Sequence, residues 1–325
     1  MTLRAFALLC SGALATTACT TPPPAAAPVA SATPARLMTW PDLLARPRPA
    51  ADKSFRYGAD PYQIADLWLP KGDGPHPVVL MVHGGCWTTS IADRTLMNWA
   101  AADLRARGIA VWNIDYRGVD RPGGAPDGIF ADTAAAADLL RIHASANRLN
   151  TRRIVAVGHS AGGHLALWLA GRHRLTDAMA ELRTNALPLR HVVSLGGLPD
   201  LDQARRERQG CGIEPVVKLL VPAAAINEAT TDPEDRLRLR NKSIPSLAPL
   251  GVSQTLINGD ADMIIPPHFA TDYAARMRAA GDHVTVRMIP NQGHVELITP
   301  GTPAWAAAVA AIQAAVTPRR SNLNQ

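Results

Sequence analysis

Arg153-Ile154-Val155-Ala156-Val157, then Gly158-His159-Ser160-Ala161-Gly162, then Gly163-His164-Leu165-Ala166-Leu167-Trp168-Leu169-Ala170 is the stretch that decides the fold. The first five residues read as a short strand covered on both faces. The last eight read as a buried helix. Between them the pattern G-x-S-x-G requires a tight strand-to-helix turn, whose glycines permit a strained backbone at Ser160 and push its hydroxyl into the open at a helix N-terminus. The helix dipole there favours developing negative charge. Ser160 is the candidate nucleophile.

Working outward, residues 77–82 (PVVLMV) form a second continuous apolar run and end on His83-Gly84-Gly85-Cys86-Trp87. Glycines let a backbone approach a substrate oxygen closely. The N–H groups of Gly85 or Cys86, with that of Ala161, are the expected donors to an oxyanion, while His83 and Gly84 shape the loop. Further strands are expected at 63–69, 109–114, 191–195, 254–257 and 284–289. Helices are expected near 93–107, 130–146, 160–172, 270–280 and 303–316. This alternation is the signature of a mostly parallel α/β sheet flanked by helices.

A nucleophilic serine needs a base and an acid to orient it. His294 follows the last strand in Gln292-Gly293-His294, a strand-end position suited to a general base. The acid belongs between nucleophile and base, and the spacing Gly259-x-x-Asp262-x-x-Ile265-Pro266 selects Asp262, leaving Asp260 as a turn residue. Glu296 comes after the histidine and fits poorly. Residues 117–130 form a long Gly/Pro-rich loop, and 197–248 read as a small helical or irregular cap insertion over the carboxyl ends of the strands. Trp87 and Trp168 are each read either as acyl-site lining or as packing residues.

The chain has 325 residues, 47% hydrophobic and 18% charged, which excludes disorder of the whole. Its net charge of +6 comes almost entirely from arginine, 29 of the 33 basic residues. Arg205-Arg206-Glu207-Arg208 and residues 236–240 carry no nucleic-acid motif and read as solvated surface, so no nucleic-acid partner is expected. No zinc-type spacing of His, Cys and Asp appears, and neither a metal nor an organic cofactor is expected.

Residues 1–18 read as a signal peptide: Arg4, an apolar run to Ala15, then small residues before Cys19. Residues 19–52 are proline- and alanine-rich and read as an extended tether and docking segment ahead of a catalytic domain at 53–318, with a disordered tail at 319–325. Export leaves Cys86 and Cys211 as the thiols of the folded domain. They either pair, as an oxidising compartment favours, or stand as two separate thiols, Cys86 a small loop residue and Cys211 buried.

The sequence resembles the α/β-hydrolase family over residues 55–316. It is most similar to esterases and lipases of the HGG-W group, whose GHSAGGHLA segment is shared with kynurenine formamidases. The resemblance implies a serine hydrolase that cleaves carboxylic esters of small or medium acyl groups through an acyl-enzyme, with a small-molecule ester as substrate. Amide or formamide hydrolysis, and a catalytically silent surface protein that keeps the fold for binding, stand as alternatives. The small-small-Cys ending resembles a bacterial lipoprotein signal. It implies acylation of Cys19 and an exported, periplasmic or outer-membrane-anchored protein.

Overall fold

Alternate residues of the central strands point to opposite sides of one eight-stranded sheet, and that alternation builds two cores. The computed structural model describes residues 36–208, 210–220 and 239–317. The strands are β1 (Lys53–Arg56), β2 (Ile64–Trp68), β3 (His76–Val82), β4 (Ala110–Ile114), β5 (Leu149–His159), β6 (Leu189–Leu195), β7 (Ser253–Gly259) and β8 (Val284–Ile289). Their order is β1-β2-β4-β3-β5-β6-β7-β8; β1 and β4 run antiparallel to β2, and every other pair is parallel.

The helices are α1 (Trp40–Leu44), α2 (Asn98–Ala106), α3 (Gly128–Ala144), α4 (Ala161–Gly171), α5 (Ala180–Arg183), α6 (Leu201–Glu207), α7 (Ile213–Leu220), α8 (His268–Ala279) and α9 (Pro303–Val316). On one face Val78, Leu80, Val82, Trp112, Ala156 and Leu256 pack with α3, α4 and α8. On the other, Val79, Met81, Val111, Val155, Val157, Val193 and Ile257 pack with α2 and α9. Full burial of each such aliphatic side chain contributes about 1.5–3 kcal/mol. A one-residue slip would exchange the two faces, so the register is strongly specified.

This sheet places the chemistry. The chain runs from β3 to β4 on one side and returns to β5 on the other, so the loops leaving β3 and β5 diverge at a switch point, where open α/β sheets bind ligands. Val82 and Gly158 are paired in register, which sets His83 to Trp87 beside the turn at Ser160.

Several boundaries differ from expectation for local reasons. β5 starts at Leu149, where Leu149 and Asn150 pair with His76 and Pro77 ahead of a register shift. β1 has no apolar run, and only Phe55 of it packs on the core. Residues 36–52 are more than an extended tether. The described residues form one compact unit with this segment included: α1 buries Leu43, and the Pro47 and Pro49 carbonyls accept from Trp99 Nε1 and Asn98 Nδ2. The expected signal segment, Cys19 and the tail at 319–325 lie outside the described residues. Of the expected cap, α6, α7 and a short 3-10 turn at Ile244–Leu247 are described, while residues 221–238 are not.

Candidate active site

The turn between β5 and α4 holds Ser160 at φ 54° and ψ −122°, a region that costs a non-glycine residue about 1–3 kcal/mol. The surroundings hold it there. The Ser160 N–H donates to the Leu195 carbonyl at 2.8 Å, and α4 presses directly on the end of β3. A Cβ on Gly162 would come within 2.3 Å of the Val82 and His83 carbonyl oxygens, so only glycine permits that approach.

Beside Ser160, Gly85 and Cys86 both have positive φ, 103° and 50°. Among the described residues no group accepts a hydrogen bond from the N–H of Gly85, Cys86 or Ala161, so all three amides are free to serve an oxyanion. A Cβ on Gly84 would come within 2.9 Å of both His159 Nδ1 and Ser160 Cβ, so a side chain has no room there. His83 anchors the loop from below. One ring nitrogen lies 3.0 Å from Asp115 Oδ1, its ring stacks on Tyr116, and Arg94 bonds the other Asp115 oxygen at 3.1 Å.

Asp262 and His294 leave the ends of β7 and β8 and meet 2.6 Å apart, Nδ1 to Oδ2. The other Asp262 oxygen accepts the N–H groups of Ile264 and Ile265, both at 2.9 Å, which fixes the carboxylate against rotation. Asp260 is a turn residue and accepts from the Asn291 N–H. Gly196, at φ 53°, lies against the pair: a Cβ there would stand 3.1 Å from His294 Nδ1 and 3.2 Å from Asp262 Oδ2. His294 and Ser160 line the same cavity, of about 490 Å³.

His159 packs its ring 4.4 Å from that of His294 and lies within 3.2 Å of the His294 carbonyl. Burial, reinforced by the neighbouring His294, holds its pKa well below the usual histidine value, so it remains neutral. Among the described residues no cluster of three or more His, Cys, Asp or Glu side chains is arranged for a metal ion.

Trp87 requires correction as a candidate pocket residue. It is fully buried, its ring edge-on to His164 at 5.4 Å, and it does not line the cavity. Trp168 is likewise core, its Nε1 donating to the Asn241 carbonyl. Sequence reasoning missed the opposite wall, which comes from the docking segment: Trp40, Leu44 and Arg48. Trp40 stands edge-on to both His159 and His294. Glu296 is a strap rather than an acid, accepting the N–H groups of Met38 and Gly293. A signal for the segment exists in Thr39-Trp40-Pro41-Asp42, a capping pattern in which Asp42 accepts from the Thr39 N–H ahead of an apolar turn. Cys86 is disulfide-bonded to Cys211, with Cα atoms 5.2 Å apart, tying the β3 loop to the residue two before α7.

A mostly parallel sheet wound on both faces, with a serine at a strained strand-to-helix turn and an Asp–His pair on later strand ends, is an α/β-hydrolase fold. Within that class the chain belongs to the BD-FAE family, whose family pattern matches residues 65–277. It is similar to an isoprenylcysteine alpha-carbonyl methylesterase of Arabidopsis thaliana, 25% identical over 75% of this chain and 56% of that protein. It is also similar to esterase LipC of Mycobacterium tuberculosis, 25% identical over 73% of this chain and 58% of that protein. The chain thus spans a little over half the length of these curated relatives. In fold it matches esterase B of Lactobacillus Rhamnosis, with TM-score 0.66, 19% identity and coverage of 85% of this chain and 92% of that one.

Proposed function

We propose that the protein is a serine hydrolase that cleaves carboxylic esters of small or medium acyl groups through an acyl-enzyme. The observation that carries this reading is the placement of Ser160 and His294 on one cavity with His294 Nδ1 bonded to Asp262. With Nδ1–H donated to the carboxylate, Nε2 is left with the lone pair needed to take the serine proton. Ser160 Oγ then attacks the ester carbonyl, and the amides of Gly85, Cys86 and Ala161 receive the charge that develops on its oxygen. His294 returns the proton to the departing alcohol, and water repeats the sequence to release the acid. The esterase and methylesterase names of the curated relatives support the reaction class.

The disulfide supports the export implied by the N-terminal segment, because such bonds persist in oxidising compartments. We place the protein in the periplasm or on the outer membrane, anchored through Cys19, and Cys19→Ser is expected to move it from the membrane fraction to the soluble one. For the activity, the test is turnover of p-nitrophenyl acetate and butyrate by the purified protein and by Ser160→Ala, with mass spectrometry of a phosphonate adduct. The expected result is loss of both turnover and adduct in the variant. Equal turnover by the two proteins would reject the reading.

A further inference from the structure

Among the described residues five large apolar side chains are exposed: Leu44 (45%), Ile91 (63%), Ile142 (74%), Met263 (88%) and Ile264 (38%). Single exposed apolar residues are ordinary on a protein surface. Four of these five are not scattered. Leu44, Ile91 and Ile264 line the cavity that holds Ser160, and Met263 is adjacent to Ile264 in the chain. They come from α1, from the loop after β3 and from the loop after β7, three segments distant in sequence that converge on one opening.

The wall leading inward from this rim is also apolar, with Trp40, Ala92 and Leu96. The two charged side chains on the cavity, Arg48 and Asp93, both hydrogen-bond to Thr95, Arg48 to its hydroxyl and Asp93 to its hydroxyl and N–H. Apolar side chains therefore make up a large part of the wall that Ser160 shares with the exposed rim. That rim is left in water at an energetic cost unless something apolar covers it.

We propose that the ester cleaved here carries an extended apolar chain, which leaves the cavity across Leu44, Ile91, Met263 and Ile264. This rests on the ester-hydrolase reading and adds a substrate class to it. The occupant is the substrate's own chain, since the rim is continuous with the cavity where its ester must lie. Binding energy gathered on the rim holds the carbonyl at Ser160, so it is expressed in kcat/KM for long-chain esters and is absent for acetate.

The test compares kcat/KM for p-nitrophenyl octanoate and acetate, which varies the acyl chain, and for octyl and ethyl acetate, which varies the alcohol. The unaltered protein is expected to prefer the long chain in one series, which assigns the chain to the acyl or the alcohol side. In that series the Leu44→Ser, Ile91→Ser double variant should lower the long-to-short ratio by about tenfold, the loss expected when two such side chains no longer cover it. Ile142→Ser, equally exposed but away from the cavity, should leave the ratio as it was. A preference for short esters in both series, or a ratio unmoved by the double variant, overturns this proposal while the ester reading stands. Failure of the unaltered protein to turn over any ester overturns both.

Discussion

Cys86, which lines the same cavity as Ser160, is covalently joined to Cys211, 125 residues later in the chain. The bond ties the loop after β3 to the segment between α6 and α7, the latter of which buries Val216 and Leu219. Closing a loop of that length constrains the unfolded chain by about 5 kcal/mol in the loop-entropy treatment, an upper figure for the native protein. Cys86→Ser with Cys211→Ser should therefore unfold at markedly lower denaturant concentration. Reductant should shift the unaltered protein the same way and leave the double variant unmoved. A thiol assay of the non-reduced, denatured protein that finds both cysteines free contradicts the bond.

Ser160→Ala, His294→Ala and Asp262→Asn should each lower ester turnover by orders of magnitude, and pairs of them should cost little more than either alone. Asp260→Asn keeps an amide oxygen that can still accept from the Asn291 N–H and should be mild. Steady-state kinetics with one activated ester separates these cases. A severe Asp260→Asn beside a mild Asp262→Asn would reverse the assignment of the acid.

His164 is wholly buried, edge-on to Trp87 and Phe130, and lies 2.7 Å from the Lys242 carbonyl through Nε2. Burial lowers its pKa to about 4, which the bond to the carbonyl offsets only in part. The folded state thus resists a proton that the unfolded chain accepts near pH 6.5. Its contribution to stability is complete above pH 6.5 and is lost as pH falls from there toward 4, roughly 3 kcal/mol in all. His159 acts in the same direction. Urea unfolding at pH 7.5 and at pH 4.5 should show a smaller difference for His164→Gln than for the unaltered protein.

Arg94 bonds both Asp66 and Asp115, and the Asp115 carboxylate is entirely buried. Arg94→Met strands that charge and should destabilise by about 3 kcal/mol, the scale for breaking a buried pair from one side. Because Asp115 also holds His83, ester turnover should fall along with the denaturation midpoint. Asp115→Asn, which removes the charge instead of isolating it, should be the milder change.

Trp40→Ala removes the ring that stands edge-on to His159 and His294. Edge-to-face contacts of this kind contribute about 1 kcal/mol, so kcat/KM should fall roughly fivefold. The denaturation midpoint should move little if Leu43 continues to anchor α1. An unchanged kcat/KM would show that the segment is not part of the site.

What could be read from the amino-acid order alone was whatever is local or periodic. The strand at Val155 and the turn at Ser160 are signalled by their own residue order, though distant contacts hold the turn in place, and the two sheet faces follow from alternation in runs such as Pro77 to Val82. Asp262 and His294 were legible because each sits at a fixed distance from the end of its own strand. The wall of Trp40, Leu44 and Arg48, the space that Gly196 leaves for the Asp–His pair, the Glu296 strap and the burial of Trp87 were settled by contacts between segments far apart in the chain. Residue type does not reveal those contacts. A tryptophan is equally suited to a core and to a pocket wall, and which it joins depends on where the sheet brings its loop, a matter of three-dimensional packing rather than of spacing.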